Sequence, residues 1–227
     1  MSLAKGAAGA VDASKIGKGG KAADRASSVL TEPNVPNEPN EPNEPTVPTW
    51  VFGYGSLMWR PGFSPLAAWP AVLQGWHRAF CRYSFRHRGT PQQPGLVMGL
   101  REGGHCRGRV LRVAPAELGA VLAELDAREG DGYGRHALPL QAESPTGVQT
   151  VTAWTYLPRQ EHPSYFGELP QERLLHLLRT GQGESGTTLD YLRNLLLELS
   201  HLGVREPAWD LLLAEASQPD VWQAKTR

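Results

Sequence analysis

Two stretches of this sequence carry residue types and spacings able to do chemistry. The first is Trp50-Val51-Phe52-Gly53-Tyr54-Gly55-Ser56-Leu57-Met58-Trp59, a short apolar strand running into two glycines one residue apart. Glycines in that arrangement permit backbone dihedrals closed to other residues and let a ligand approach bare peptide N–H groups. The turn can therefore cradle a carboxylate or a phosphate. The same pattern is also that of a plain tight turn. The second is Glu129. At 100° per residue it falls within about 40° of Leu118, Leu122 and Leu125 on a helical wheel, whereas Glu124 points the opposite way. A carboxylate on an apolar stripe is partly desolvated, and at a helix C-terminus it meets the negative end of the macrodipole. Both effects raise its pKa and make it a usable general base near neutral pH. If the helix ends earlier, Glu129 is instead a surface residue before a turn.

Other chemistry is less well provided for. Ser56 stands in Gly53-Tyr54-Gly55-Ser56-Leu57 and not in a G-x-S-x-G elbow, so its hydroxyl is expected to bond a ligand or cap the next turn. The seven histidines show neither H-x-x-x-H nor H-E-x-x-H spacing, which argues against a metal site. Arg82, Tyr83, Phe85, Arg86, His87 and Arg88 form a basic aromatic patch. It suits a small anionic substrate or a solvated sheet face better than nucleic acid, because the chain carries no net charge, with 23 basic and 23 acidic residues.

The elements that must position these groups begin near Pro48. Before it the chain is Ala, Gly, Ser and Lys, followed by a Pro-Asn-Glu repeat over 32–45 without aromatic side chains. Proline at every third position forbids regular ladders, and so little apolar surface cannot offset ordering entropy. Residues 1–48 are therefore expected to be a disordered tail, and 49–220 the folded domain. Within it, strands are expected at 71–83, at 96–100 and 107–113 on either side of a turn at Glu102-Gly103-Gly104, and at 135–142 and 148–157. Pro115 opens a helix with Glu117 near its positive end and Leu118, Val121, Leu122 and Leu125 as its buried stripe. Leu174, Leu175 and Leu178 mark a second helix. Leu189, Leu192, Leu195, Leu196, Leu199 and Leu202 mark a third, stopped by Gly203. The fold class is α+β: a curved, mainly antiparallel sheet or small barrel with packed helices. Cys81 and Cys106, without CxxC spacing, read as reduced, half-buried sheet residues. With no membrane-length apolar run and no signal-like h-region, the expected compartment is the cytoplasm.

Four blocks in order make the sequence resemble the ChaC-type, glutathione-specific γ-glutamylcyclotransferases over about 50–213. They are Val51 to Leu57; Phe80-Cys81-Arg82 through His87-Arg88-Gly89-Thr90-Pro91 with Pro94-Gly95; Arg128-Glu129 with Gly132-Tyr133; and Tyr191-Leu192 with Leu202-Gly203-Val204. The resemblance implies a γ-glutamylcyclotransferase-like fold with a small closed sheet, and conversion of glutathione to 5-oxoproline and cysteinylglycine. It also implies a substrate loop at Val51, Phe52, Gly53, Tyr54, Gly55, Ser56 and Leu57, a catalytic Glu129, and no metal or cofactor. The sequence departs at Ala127, often aromatic in the family, and at Asp131, more usually glycine. The rival expectations are a cyclotransferase for other γ-glutamyl compounds, a non-catalytic module holding a small anionic metabolite, and a nucleic-acid binder.

Overall fold

The computed structural model describes residues 47–218. The tail expected over 1–48, including the repeat at 32–45, lies outside the described residues except for its last two positions. From Trp50 the chain runs β1 (Trp50–Gly53), β2 (Ala67–Ser84), β3 (Gly95–Arg112), α1 (Leu118–Glu129), β4 (Tyr133–Ser144) and β5 (Gly147–Pro158). It continues through α2 (Gln171–Thr180), the two-residue strands β6 (Gln182–Gly183) and β7 (Gly186–Thr187), α3 (Thr188–His201) and α4 (Pro207–Ala216). Strands β1 to β5 close into a barrel in the order β1-β3-β2-β4-β5. The β1–β5 pairing is parallel; the other four are antiparallel. The α+β class and the closed sheet are thus as expected.

The expected division at Glu102-Gly103-Gly104 is not there. β3 is one strand of 18 residues paired with β2 along its length. The register shifts between Gln74 and Trp76, where Gly75 on β2 and Gly103 and Gly104 on β3 all take positive φ. A glycine bulge bends a ribbon without ending it, and in sequence it looks like a turn. Cys81 and Cys106 are free as expected but fully buried, deeper than half-buried. Burial pushes the Cys81 thiol up to about 12, far from a reactive thiolate.

Two apolar clusters hold the fold. The larger joins the barrel interior, including Phe52, Leu96, Leu100 and Val110, to Leu177, Leu178, Leu192, Leu195 and Leu199 of α2 and α3. The smaller joins Val121, Leu122 and Leu125 of α1 to Val51 and Leu57 on either side of the glycine turn, and to Tyr133 and Tyr156. The 3.6-residue stripe of α1 therefore docks onto the same short segment that carries Gly53 to Ser56. Docking by that face carries the last residue of the helix to the turn. Among the described residues, no helix is long and apolar enough to cross a membrane.

Candidate active site

Helix α1 persists through Glu129 and stops because Gly130, at φ 66°, ends it, with its N–H donating to the Asp126 carbonyl at 2.9 Å. Glu129 is thus on the helix and not in a loop beyond it. Its side chain is 18% exposed, while Glu124 faces solvent. The carboxylate lies in the wall of a cavity of about 530 Å³, together with Tyr54, Gly55, Ser56 and Leu57 of the turn. Burial holds its pKa above the ordinary glutamate value, against the lowering pull of Arg128 and then Arg82.

Arg128 ties the helix end to the turn. Its Nη2 donates to Ser56 Oγ at 2.9 Å and its Nη1 to the Arg60 carbonyl at 2.6 Å, while Nε lies 3.7 Å from Glu129 Oε1. Ser56 is therefore neither a cap nor a free hydroxyl. The short 3-10 helix at Ser56–Met58 has no side-chain cap, and the serine oxygen accepts from Arg128. Because Arg128 is the stronger of the two charges lowering the Glu129 pKa, Arg128→Met is expected to raise that pKa further. The carboxyl resonance of Glu129, followed by NMR across pH, should then titrate at higher pH than in the native protein; no upward movement would contradict this coupling.

The turn is held from beneath as well. Arg78 Nε of β2 donates to the Tyr54 carbonyl at 2.5 Å, and Tyr54 Oη donates to the Tyr156 carbonyl of β5 at 2.7 Å. Tyr156 Oη in turn donates to Asp126 of α1 at 2.7 Å. Neither Gly53 nor Gly55 takes positive φ, so left-handed dihedrals are not what selects them. Space is: a Cβ on Gly55 would stand 2.7 Å from Tyr191 Oη, closer than real Cβ contacts come.

Not every residue of the expected substrate loop reaches the cavity. Val51 and Phe52 are wholly buried in the two clusters, and with Gly53 they are absent from the cavity lining. They anchor the turn in β1, and only Tyr54, Gly55, Ser56 and Leu57 line the pocket. The basic aromatic patch divides in a similar way. Arg86 remains exposed and paired to Glu184 at 2.9 Å. Arg82 and Arg88 are buried in the cavity wall, which makes the patch a pocket lining and not a solvated sheet face. Arg82 donates twice to Ser164 Oγ, at 3.0 and 2.6 Å, and lies 4.1 Å over the Tyr133 ring.

Some residues that build the site had no role assigned to them from the sequence, Tyr133 having been noted only within a block of the family resemblance. Tyr133 Oη donates to the Met98 carbonyl at 2.6 Å, closing one side of the cavity, and Ser185 of the β6–β7 turn bonds His87 Nδ1 at 3.2 Å on another. Arg78 had no signal of its own, since β2 also carries Gln74, His77, Arg82 and Ser84. The β6–β7 hairpin had none. The chemistry of the whole is clear: a carboxylate with raised proton affinity shares a cavity with a peptide turn and with buried guanidinium groups in its walls.

Comparison with known proteins supplies the family. A family model described as ChaC-like protein matches residues 49–217. The chain is 33% identical over 169 residues to the glutathione-specific gamma-glutamylcyclotransferase of Escherichia coli K12, covering 74% of this chain and 73% of that protein. It is 31% identical over 172 residues to the Schizosaccharomyces pombe protein of the same name, covering 67% and 83%. A crystal structure of a yeast gamma-glutamyl cyclotransferase specific to glutathione matches with a TM-score of 0.68 at 21% identity, over 74% of this chain and 95% of that one. With its sequence matched by the family model from β1 to the end of α4, this chain belongs to the ChaC-like family.

Proposed function

We propose that this protein cleaves reduced glutathione to 5-oxoproline and cysteinylglycine, with 49–220 as its catalytic domain and Glu129 as its general acid and base. The single observation that carries the reading is the Glu129 carboxylate, raised in pKa by burial and sharing one cavity with the Gly55–Leu57 turn. The names of the relatives at 31–33% identity support the substrate.

In a γ-glutamyl peptide the α-amine can reach its own γ-carbonyl and close a five-membered lactam. Nucleophile and electrophile belong to one molecule, so the protein's task is to hold the bent conformer and move protons. Glu129 takes a proton from the α-ammonium. The freed amine attacks the γ-carbon, a C–N bond forms, and the bond to the cysteinyl nitrogen breaks. Both protons shed by the attacking nitrogen end on the cysteinyl nitrogen, the first through Glu129, so no water is consumed. The turn from Tyr54 to Leu57 holds the glutamyl end. The N–H groups of Ser56 and Leu57, in the first turn of a 3-10 helix, lack intrahelical acceptors and suit an oxygen of the substrate. A cavity of about 530 Å³ is within the range that holds small ligands. Two unpaired, buried thiols fit the reducing cytoplasm, where the substrate is abundant as a thiol.

The test is to incubate the purified chain with reduced glutathione or with γ-glutamyl-alanine and to follow 5-oxoproline by mass spectrometry. Release from glutathione well above that from the alanine compound is expected. Equal turnover of both would move the reading to a general γ-glutamyl activity, and binding without product to a non-catalytic module.

A further inference from the structure

Arg88 is a strongly buried guanidinium in the cavity wall whose donors are not all directed at the protein. It is 5% exposed, and among the described residues it has no carboxylate at ion-pair distance. Asp190, the acid whose charge acts on it, is engaged with Arg193 at 2.9 Å. Nη1 donates to the Ser185 carbonyl at 2.5 Å and, more loosely, to the Thr187 carbonyl at 3.4 Å. Nε and Nη2, which together form the side-on fork that matches a carboxylate, make no hydrogen bond within the described residues and are not sealed away. A buried cation without a counter-ion is costly, and the fold retains this one in a fixed pose. The Arg88 N–H donates to Ser84 Oγ at 3.0 Å, its carbonyl accepts from Thr188 Oγ1 at 3.3 Å, and the guanidinium lies 5.1 Å from the centre of the Tyr191 ring. Gly89 and Gly95 pack backbone to backbone beside it, with no space for a side chain at either position.

Which carboxylate it receives follows from where it sits. Arg128, with Nε 3.7 Å from Glu129 Oε1, and Arg82 are the cations beside Glu129, whereas the Arg88 guanidinium lies against Tyr191, 5.1 Å from its ring centre. The glutamyl α-carboxylate shares a carbon with the reacting amine and must stay beside Glu129. The glycine carboxylate lies beyond the cysteine and glycine residues, roughly 7 Å from the γ-carbonyl in an extended chain.

Building on the glutathione reading above, we propose that Arg88 receives the glycine carboxylate of the tripeptide through Nε and Nη2 and so selects glutathione over γ-glutamyl compounds that lack this group. The experiment compares glutathione with its C-terminal carboxamide on the native enzyme and on Arg88→Gln and Arg88→Lys. The native enzyme should prefer the acid by about 10- to 100-fold in kcat/KM, the worth of a charge-assisted pair of hydrogen bonds. Arg88→Gln should turn over both at similar rates, and Arg88→Lys, which keeps the charge without the fork, should fall between. A purely structural arginine would lower both substrates together and leave their ratio unchanged. Equal turnover of acid and amide by the native enzyme, or a native ratio in whichever variant folds, would overturn the assignment. If the native enzyme releases no 5-oxoproline at all, the glutathione reading fails separately. The Arg88 assignment then stands or falls on whether calorimetry shows glutathione binding the native chain more tightly than the amide.

Discussion

Glu129→Gln should still bind glutathione within a few-fold of the native affinity while releasing 5-oxoproline about 10²- to 10⁴-fold more slowly, the usual cost of losing a general base. The substitution keeps size and hydrogen-bonding atoms and removes only the titration. The native kcat/KM should fall as pH drops through the raised Glu129 pKa, because the base must be ionised to take the ammonium proton. The variant's residual rate should lack that limb. Stability provides an independent check with a definite sign. A carboxyl whose pKa is higher folded than unfolded stabilises the fold fully below the unfolded value, and that contribution is lost as pH rises through the folded value. At neutral pH the native protein therefore carries the cost of a desolvated charge that glutamine does not. The variant should melt at a higher temperature than the native chain at neutral pH, and this excess should shrink to nothing below the ordinary glutamate pKa. Near-native turnover, or a melting difference that does not vary with pH, would show that Glu129 neither titrates as described nor carries the reaction.

Gly55→Ala should lower kcat/KM by about 10², the effect expected when a reacting group is misplaced by about 1 Å. The added Cβ would stand 2.7 Å from Tyr191 Oη. Tyr191 cannot readily yield: it is 3% exposed, its ring is 5.5 Å from Trp59, and Arg88 covers it at 5.1 Å. The turn moves instead, and with it the Ser56 and Leu57 N–H groups proposed to hold the substrate. Tyr191→Phe removes the obstructing oxygen, so adding it to Gly55→Ala should recover most of the loss relative to Tyr191→Phe alone. A four-corner comparison of kcat/KM isolates that coupling. Strict additivity would mean that the alanine acts through something other than this contact.

A period of 3.6 placed Glu129 on the buried stripe of α1, and the structure keeps it there because Leu122 and Leu125 dock on Val51 and Leu57. The helix stops at Gly130, which takes φ 66° without strain. Periodicity did not extend to the turn's neighbours. Val51, Phe52 and Gly53 belong to the same contiguous motif as Tyr54 to Leu57, yet the motif does not reveal which of its residues enter the core and which face a cavity. Gly103 and Gly104 have the composition of a turn, and only pairing with β2 shows that they bend a continuous strand.

What was legible in advance was local: helix faces, the strand entering the glycine turn, and the α+β class, each set by spacing within a dozen or so residues. What the tertiary structure decided was convergence. Arg82 and Arg88 sit in a run whose charge density suggests solvent, and they are buried because Ser164, Ser185 and Thr187, about 80 to 100 positions further along, supply acceptors. β6 and β7, two residues each, are too short to have a period. Burying a charge depends on partners brought together by closure of the barrel and packing of α3, and no window along the chain contains both members of such a pair.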